Sequence, residues 1–297
     1  MKKILITGST GFIGSNIFLN IKNDFKIYLL LRRKLRKKKI NFIKNQNIKI
    51  INFKNYDELN FKIKKISVDV IIHCATYYVK KHKDKDISKI IDSNILFPNI
   101  ILKNLKKMKV KKFINFTTVW ENYNAQKGRS FNLYSKSKQI FRKNIDFYKN
   151  NNKKIKFYNF FVSDTYGEND SRKKLINVLK NNYSKNKITK ILSKKLYINL
   201  LNVKDILEAV NLIIDKKINP GNYVLKNKYN FSLQKIVSKI NYNNKKKIKI
   251  KWISSKIIKE KFYEYKKLPY WKPQFSNIDD LANFITKWKK NSLFMEL

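Results

Sequence analysis

The stretch Lys3-Ile4-Leu5-Ile6-Thr7-Gly8-Ser9-Thr10-Gly11-Phe12-Ile13-Gly14 holds three of the six glycines in this 297-residue chain, directly after a short apolar run. The spacing predicts a strand over 3–7, a sharp turn, and a helix from Phe12 to about Lys22. Glycines at 8 and 11 leave no Cβ between the backbone and a ligand, and Gly14 lets the helix lie close on the sheet. The unpaired N–H groups and positive dipole end of that helix face outward at the turn and suit a pyrophosphate. Gly8, Thr10, Gly11, Phe12, Ile13 and Gly14 are therefore the candidate dinucleotide cradle, because the string follows a strand and opens a helix.

Outward from this turn, apolar runs recur near 26–31, 48–53, 69–74, 112–117 and 155–161, with helical patterns between most of them. That rhythm implies an α/β fold, a Rossmann-type doubly wound parallel sheet. Val70-Ile71-Ile72 and Phe113-Ile114-Asn115-Phe116 are short and largely apolar, as strands covered on both faces should be. Beyond about residue 162 the chain becomes turn-rich, beginning with Asp164-Thr165-Tyr166-Gly167-Glu168-Asn169-Asp170. Residues 1–162 are expected to form the nucleotide-binding domain. Residues 163–297 are expected to form a smaller C-terminal α/β substrate lobe, interleaved with a late strand and helix of the first domain. Within the lobe, Lys245 to Lys251 alternates Lys and Ile like an edge strand, and Asp279 and Asp280 mark the first turn of a last helix.

The net charge of +48 raises the question of nucleic acid, yet 62 of the 68 basic residues are lysine, spread through every segment. Lysine, Asn, Ile, Phe and Tyr share A/T-rich codons, and a binding face would concentrate its charge and favour arginine. Composition bias explains the excess, and nucleic acid is not expected as a partner. No stretch approaches the roughly 18 apolar residues of a membrane span and no signal peptide opens the chain, so a cytoplasmic location is expected. The single cysteine, Cys74, is expected to be a buried filler at the end of a strand. With only His73 and His82 beside it, no metal site of the usual ligands is expected.

In NAD-binding versions of this turn an acidic residue ends the second strand and holds the ribose hydroxyls. Here Ile27-Tyr28-Leu29-Leu30-Leu31 is followed by Arg32-Arg33, with no carboxylate. Arg32 suits a 2′-phosphate, so NADP(H) is expected over NAD(H). The basic run from Arg32 to Lys39 is expected as a solvated loop at the edge of that site.

Tyr134 and Lys138 stand four apart, on one face of a predicted helix that runs through about Tyr148. An ammonium beside a phenol lowers its pKa toward the range a general acid needs. Six Tyr-x-x-x-Lys pairs occur in the chain, and position selects this one. It alone opens a long helix shortly after a strand ending in Thr117-Thr118, whose hydroxyl can meet the tyrosine over a nicotinamide.

On these features the chain resembles the extended short-chain dehydrogenase/reductases of the NAD-dependent epimerase/dehydratase family. Matching segments are Thr7-Gly8, Asp69-Val70-Ile71-Ile72-His73-Cys74-Ala75, Asn94, Thr118, Tyr134 with Lys138, and Tyr166-Gly167. The resemblance implies a triad. Tyr134 transfers the proton, Lys138 lowers its pKa and binds the nicotinamide ribose, and Thr118 bonds the reacting oxygen. It also implies that Ala75 touches the cofactor and that two copies form a homodimer through two helices. Where the family often carries an adenine-binding Asp, this chain has Phe53-Lys54.

A narrower resemblance lies in Phe113 to Tyr123, Asn132-Leu133-Tyr134 and Ser163 to Ile176. These segments are similar to nucleotide-sugar 4-ketoreductases of the CDP-paratose and CDP-abequose synthase type, which serve deoxyhexose and surface-polysaccharide (O-antigen, lipopolysaccharide) biosynthesis. The implied reaction is hydride transfer from NADPH to C4 of a nucleotide-linked 4-keto-deoxysugar. Arg172 and Lys173 are candidates for the substrate diphosphate, Tyr77 and Tyr78 for the sugar pocket, and Asp164 for the substrate lobe's share of the site. A 4,6-dehydratase of the family would carry Asp-Glu directly after the threonine, where this chain has Val119-Trp120. A 4-epimerase uses the same triad but holds NAD through a ribose carboxylate, and the alternative outside enzymes is a nucleotide-sensing or nucleic-acid-binding protein on the same fold.

Overall fold

The computed structural model describes residues 1–32 and 47–287. Its elements in chain order begin β1 (Lys3–Thr7), α1 (Phe12–Ile21), β2 (Lys26–Leu31), β3 (Ile48–Asn52), α2 (Tyr56–Lys64) and β4 (Val70–His73). They continue with α3 (Asp84–Ile91), a π-helical turn (Asp92–Leu96), α4 (Phe97–Asn104), β5 (Lys112–Thr118), a 3₁₀ segment (Val119–Ala125), α5 (Leu133–Asn150) and β6 (Lys156–Val162). Arg33 to Lys39, the rest of the expected basic loop, lies outside the described residues.

The remaining elements are β7 (Asp164–Tyr166), α6 (Leu175–Ser184), β8 (Thr189–Ser193), β9 (Leu196–Ile198), β10 (Leu200–Asn202), α7 (Val203–Asp215) and β11 (Gly221–Leu225). After these come β12 (Phe231–Ser232), α8 (Leu233–Asn243), β13 (Ile250–Ser254), β14 (Ile258–Lys259), β15 (Lys266–Lys267) and α9 (Ile278–Thr286).

Eight strands form one sheet in the order β15-β11-β6-β5-β4-β1-β2-β3, every neighbouring pair parallel. The period-2 geometry of a strand sends successive side chains to opposite faces, and here both faces are covered. Ile4 and Ile6 of β1 join the core under α1 and α7, while Leu5 joins the core under α2, α4 and α5. In β5, Ile114 and Phe116 take the first side and Phe113 the second. Each such side chain contributes roughly 1.5 to 3 kcal/mol on full burial, so the continuous apolar runs are what the two-sided cover demands.

The sheet also takes β11 and β15 from far beyond residue 162, and α7 packs on α1. A third core, with Leu179, Leu233, Ile236, Leu281 and Ile285, joins α6, α8 and α9 into the smaller lobe. Short strands decorate it in three small sheets. The expected edge strand at Lys245 to Lys251 begins only at Ile250, where β13 pairs with β8 alone.

Chain order reverses at β1, which has β2 on one side and β4 on the other. At such a switch point the loops diverge and open a crevice beyond the carboxyl ends of the strands. His73 and Thr7 hold the two strands together there. The Ala75 N–H donates to Thr7 Oγ1 at 3.2 Å, and that hydroxyl lies 2.8 Å from His73 Nδ1. Burial, helped by the Lys138 charge, keeps the His73 ring well below its ordinary pKa and neutral.

Candidate active site

The crevice at the switch point encloses about 520 Å³, within the roughly 300 to 1,000 Å³ typical of ligand sites. Its first wall is the glycine turn. Gly8 adopts φ +68°, and a Cβ there would come within 2.5 Å of the Ala75 nitrogen. A Cβ on Gly14 would come within 2.2 Å of the Gly8 carbonyl oxygen. Gly14 therefore packs the helix on the turn itself, a correction to the expectation that it serves contact with the sheet. Gly11 is the N-cap of α1 and gives it no side-chain cap, so the first N–H donors of the helix open into the crevice with Thr10, Phe12 and Ile13.

A second feature fits a polar ligand: Ser163 lines the crevice, and its buried hydroxyl has no hydrogen-bond partner among the described residues. The cradle and this orphaned group fit a dinucleotide. Gly8 to Gly14 would hold its pyrophosphate and Ala75 would touch it from β4.

At the far end, Arg32 leaves β2 and lines the crevice with Phe53, which stacks on Phe97 with ring centroids 5.7 Å apart. Contrary to the sequence expectation, a carboxylate does stand at this arginine. Asp92, opening the π-helical turn, places Oδ2 2.5 Å from Arg32 Nη1, and Arg32 Nη2 lies 2.9 Å from the Tyr56 hydroxyl. Tyr56 in turn donates to Asp92.

The π-helical turn also carries Asn94, which is buried and fully bonded. Its Oδ1 accepts from Tyr77 N at 2.7 Å and Thr76 Oγ1 at 3.0 Å, while Nδ2 donates to Tyr77 O and Ser137 Oγ. Such turns recur at functional sites, and this one ties the loop after β4 to α5.

Helix α5 begins at an Asn132–Ser135 capping box, each side chain accepting from the other's N–H at 3.0 Å. This fixes the first turn, which holds Tyr134, and places Lys138 one turn on. Thr118, Tyr134 and Lys138 all line the same crevice. The geometry differs from expectation in two respects. Thr76, a residue that sequence reasoning missed, lines the crevice with Tyr134 and donates to Asn94 Oδ1 at 3.0 Å, while Thr118 Oγ1 accepts from Trp120 N at 3.3 Å. And burial, with Tyr78 alongside, pushes the Tyr134 phenol above its ordinary pKa, where the pattern of Tyr and Lys alone predicts a fall. The Lys138 ammonium is pushed down to about 8 by burial, with Glu121 pulling the other way.

Glu121 is another residue the sequence did not single out. It is fully buried beneath this pair, accepts from Thr117, and meets Arg142 Nε at 2.8 Å. Burial raises its pKa, against the pull of Arg142. No local signal marks it, since its environment is assembled by β5 and α5 together.

The opposite wall is aromatic. Tyr78 meets Tyr134 edge to face at 4.9 Å and Trp120 at 6.5 Å. Lys174 lies 5.3 Å from the Tyr78 ring centre and pairs with Asp164 at 2.7 Å. Behind Trp120, burial and then the nearby Asp164 charge push Glu260 up to about 7.

Arg172 reaches the crevice over the Phe12 ring, held by Asp170 at 2.6 Å and Thr165 at 2.9 Å. Two expected residues are not brought to the crevice. Lys173 is exposed and Lys174 takes its place, because Lys174, the N-cap of α6, turns into the crevice while 173 lies in the segment before the helix and faces out. Tyr77 turns away to donate to Asp86 at 2.8 Å. Cys74 is not the buried filler expected: it is partly exposed on the crevice wall just past β4.

Among the described residues there is no group of three or more His, Cys, Asp or Glu that could hold a metal ion, and no helix is long and apolar enough to cross a membrane.

The NAD dependent epimerase/dehydratase family model matches residues 4–225, and the chain belongs to that family of enzymes. It is 28% identical over 214 residues to a CDP-abequose synthase of Yersinia pseudotuberculosis, covering 71% of this chain and 73% of that one. A CDP-abequose synthase of Salmonella muenchen is 23% identical over 222 residues, 75% of this chain and 73% of that one. Among solved structures, the UDP-glucuronic acid 4-epimerase of Bacillus cereus in complex with NAD superposes with a TM-score of 0.76 at 17% identity, covering 96% of each chain.

Proposed function

We propose that this protein is an NADPH-dependent 4-ketoreductase of a nucleotide-diphosphate-linked 4-keto-deoxysugar, acting in deoxyhexose and surface-polysaccharide (O-antigen) biosynthesis in the cytoplasm. The observation that carries the reading is the convergence of Thr118, Tyr134 and Lys138 on one crevice whose position after the threonine holds Val119 and Trp120, with no acid–base pair. The relation to two CDP-abequose synthases supports the sugar class.

The reduced nicotinamide supplies the hydride when bound. Tyr134, kept protonated by its burial, donates its phenolic proton to the substrate oxygen as the ketone becomes an alcohol. Lys138 offsets the negative charge left on Tyr134, and Thr118, whose oxygen already accepts from Trp120 N, has its hydroxyl proton free for the same substrate oxygen. The apolar faces of Tyr78 and Trp120 suit the deoxygenated side of a sugar, and Lys174 and Arg172, each paired with an aspartate, bring positive charge to the crevice for its phosphates.

The test is NADPH oxidation against a panel of CDP-, dTDP-, UDP- and GDP-linked 4-keto sugars. Oxidation with one base carries the proposal, and no oxidation with any of them, from a folded protein, overturns it. One observation favours a second reading, a 4-epimerase: the Asp92 carboxylate beside Arg32 could serve a ribose. Purified protein carrying tightly held NAD and interconverting 4-epimers would establish that reading instead. Ile87 and Ile91 on α3, with Ile140 and Phe147 on α5, are exposed and support a homodimer through these helices. Light scattering at twice the chain mass bears this out, and a monomer removes it.

A further inference from the structure

The cofactor's adenosine end is shaped by three elements distant in sequence: the end of β2 with Arg32, the start of α2 with Tyr56, and the π-helical turn with Asp92. We infer that Asp92 sets the balance between NADPH and NADH, because it occupies the guanidinium that a 2′-phosphate needs and places a carboxylate where that phosphate would sit. The inference rests on the nicotinamide site of the proposed function, but not on which sugar is reduced.

Of the guanidinium's two terminal nitrogens, Asp92 takes Nη1 and Tyr56 takes Nη2. Its carbon lies 5.7 Å from the Tyr56 ring centre and 5.8 Å from that of Phe97, so both rings flank the cation at the limit of cation–π range. Ser93, next to Asp92, and Phe97 line the crevice together with Leu31 and Arg32, which puts the ion pair at the rim of the adenosine pocket.

A 2′-phosphate entering here must take the guanidinium donors from Asp92 and then lie beside an uncompensated like charge. A 2′-hydroxyl does neither, since it can donate to the carboxylate while Arg32 stays in place. Asp92 therefore penalises NADPH and carries no such penalty for NADH. The side chains of Arg32 and Asp92 remain 43% and 36% exposed, so their pair is weak and screened by salt. The residue accordingly tunes the choice instead of forbidding one cofactor.

The experiment is equilibrium binding of NADPH and of NADH, read by nicotinamide fluorescence and calorimetry, with wild type, Asp92→Asn and Tyr56→Phe. Asp92→Asn is expected to tighten NADPH roughly three- to tenfold, an effect that shrinks with added salt, and to move NADH by less than about twofold. Tyr56→Phe keeps both charges and is expected to leave the ratio unchanged. Equal shifts for the two cofactors in Asp92→Asn, or a ratio change in Tyr56→Phe as large as that in Asp92→Asn, overturn the inference. Wild-type protein that binds both cofactors but whose ratio ignores Asp92→Asn overturns it alone, leaving the proposed function standing. Wild type that binds neither removes the nicotinamide site and the inference with it.

Discussion

At the proposed nucleotide end of the crevice the groups that line it are main-chain N–H donors between Gly11 and Gly14, whereas the proposed sugar end presents side chains from five separate segments. Those segments contribute Thr76 and Tyr78, Thr118 and Trp120, Tyr134 and Lys138, Asp164, and Arg172 with Lys174. The first end works by the absence of atoms: its tolerances are set by a carbonyl 2.2 Å from where a Cβ of Gly14 would stand. The second works by the presence of particular functional groups, each held by a neighbour from another element. A change at the first should act on shape and binding, and a change at the second on rate.

The strongest test of that contrast is Gly14→Val. Its side chain has no room against the Gly8 carbonyl, and overpacking of this kind costs on the order of 1 to 3 kcal/mol or more. Calorimetry should show dinucleotide binding lost along with a lower thermal midpoint. Unchanged affinity would mean that the turn is not the cradle.

Tyr134→Phe comes next. It should lower turnover by at least about a hundredfold while NADPH affinity stays within about twofold, because the phenol acts on the reacting oxygen and not on the pyrophosphate. A parallel loss of affinity would blur the two ends into one.

The pH profile sharpens the same point. Lys138 titrates near 8 in the folded protein, below its ordinary value near 10.4, so turnover should fall as pH rises through about 8 and the charge beside Tyr134 disappears. The stability term of this group has the opposite sign. Between about 8 and 10.4 the unfolded chain holds a proton that the folded one has released, so the lysine's contribution grows more favourable as pH rises. Lys138→Met should therefore raise the thermal midpoint at pH 7 while removing turnover, and a lowered midpoint would contradict the assigned burial cost.

The smallest effect separates two adjacent lysines. Lys174→Ala should weaken substrate use by about tenfold, the loss of one charged contact at the crevice, while exposed Lys173→Ala should change it by less than about twofold. Equal losses would show that only the general positive charge matters.

Much of the fold was legible because buried parallel strands need apolar side chains on both faces. Residues 3–7 and 26–31 match β1 and β2 end for end, and 112–117 falls one residue short of β5. The lobe was less legible, since strands of two to five residues such as β9, β12 and β14 carry too short a pattern to announce themselves. Within the site, Tyr134, Lys138 and Thr118 could be picked out by position relative to strand and helix. Thr76, Asp92 and Glu121 could not, because each acquires its partner only when separate elements meet. Lys173 was chosen over Lys174, and Tyr77 offered with Tyr78, because sequence adjacency does not say which of two neighbours a turn rotates inward.

By itself, then, the sequence determined the parallel sheet, the glycine turn and the identity of the phenol and ammonium that share one helical face. These depend on spacing over a dozen residues or fewer, where backbone geometry translates directly into side-chain direction. The tertiary structure alone decided the charge states and pairings: that burial lifts the Tyr134 phenol and depresses the Lys138 ammonium, and that Arg32 meets a carboxylate sixty residues away. Desolvation and Coulomb attraction depend on distance through space, and no linear pattern carries that distance.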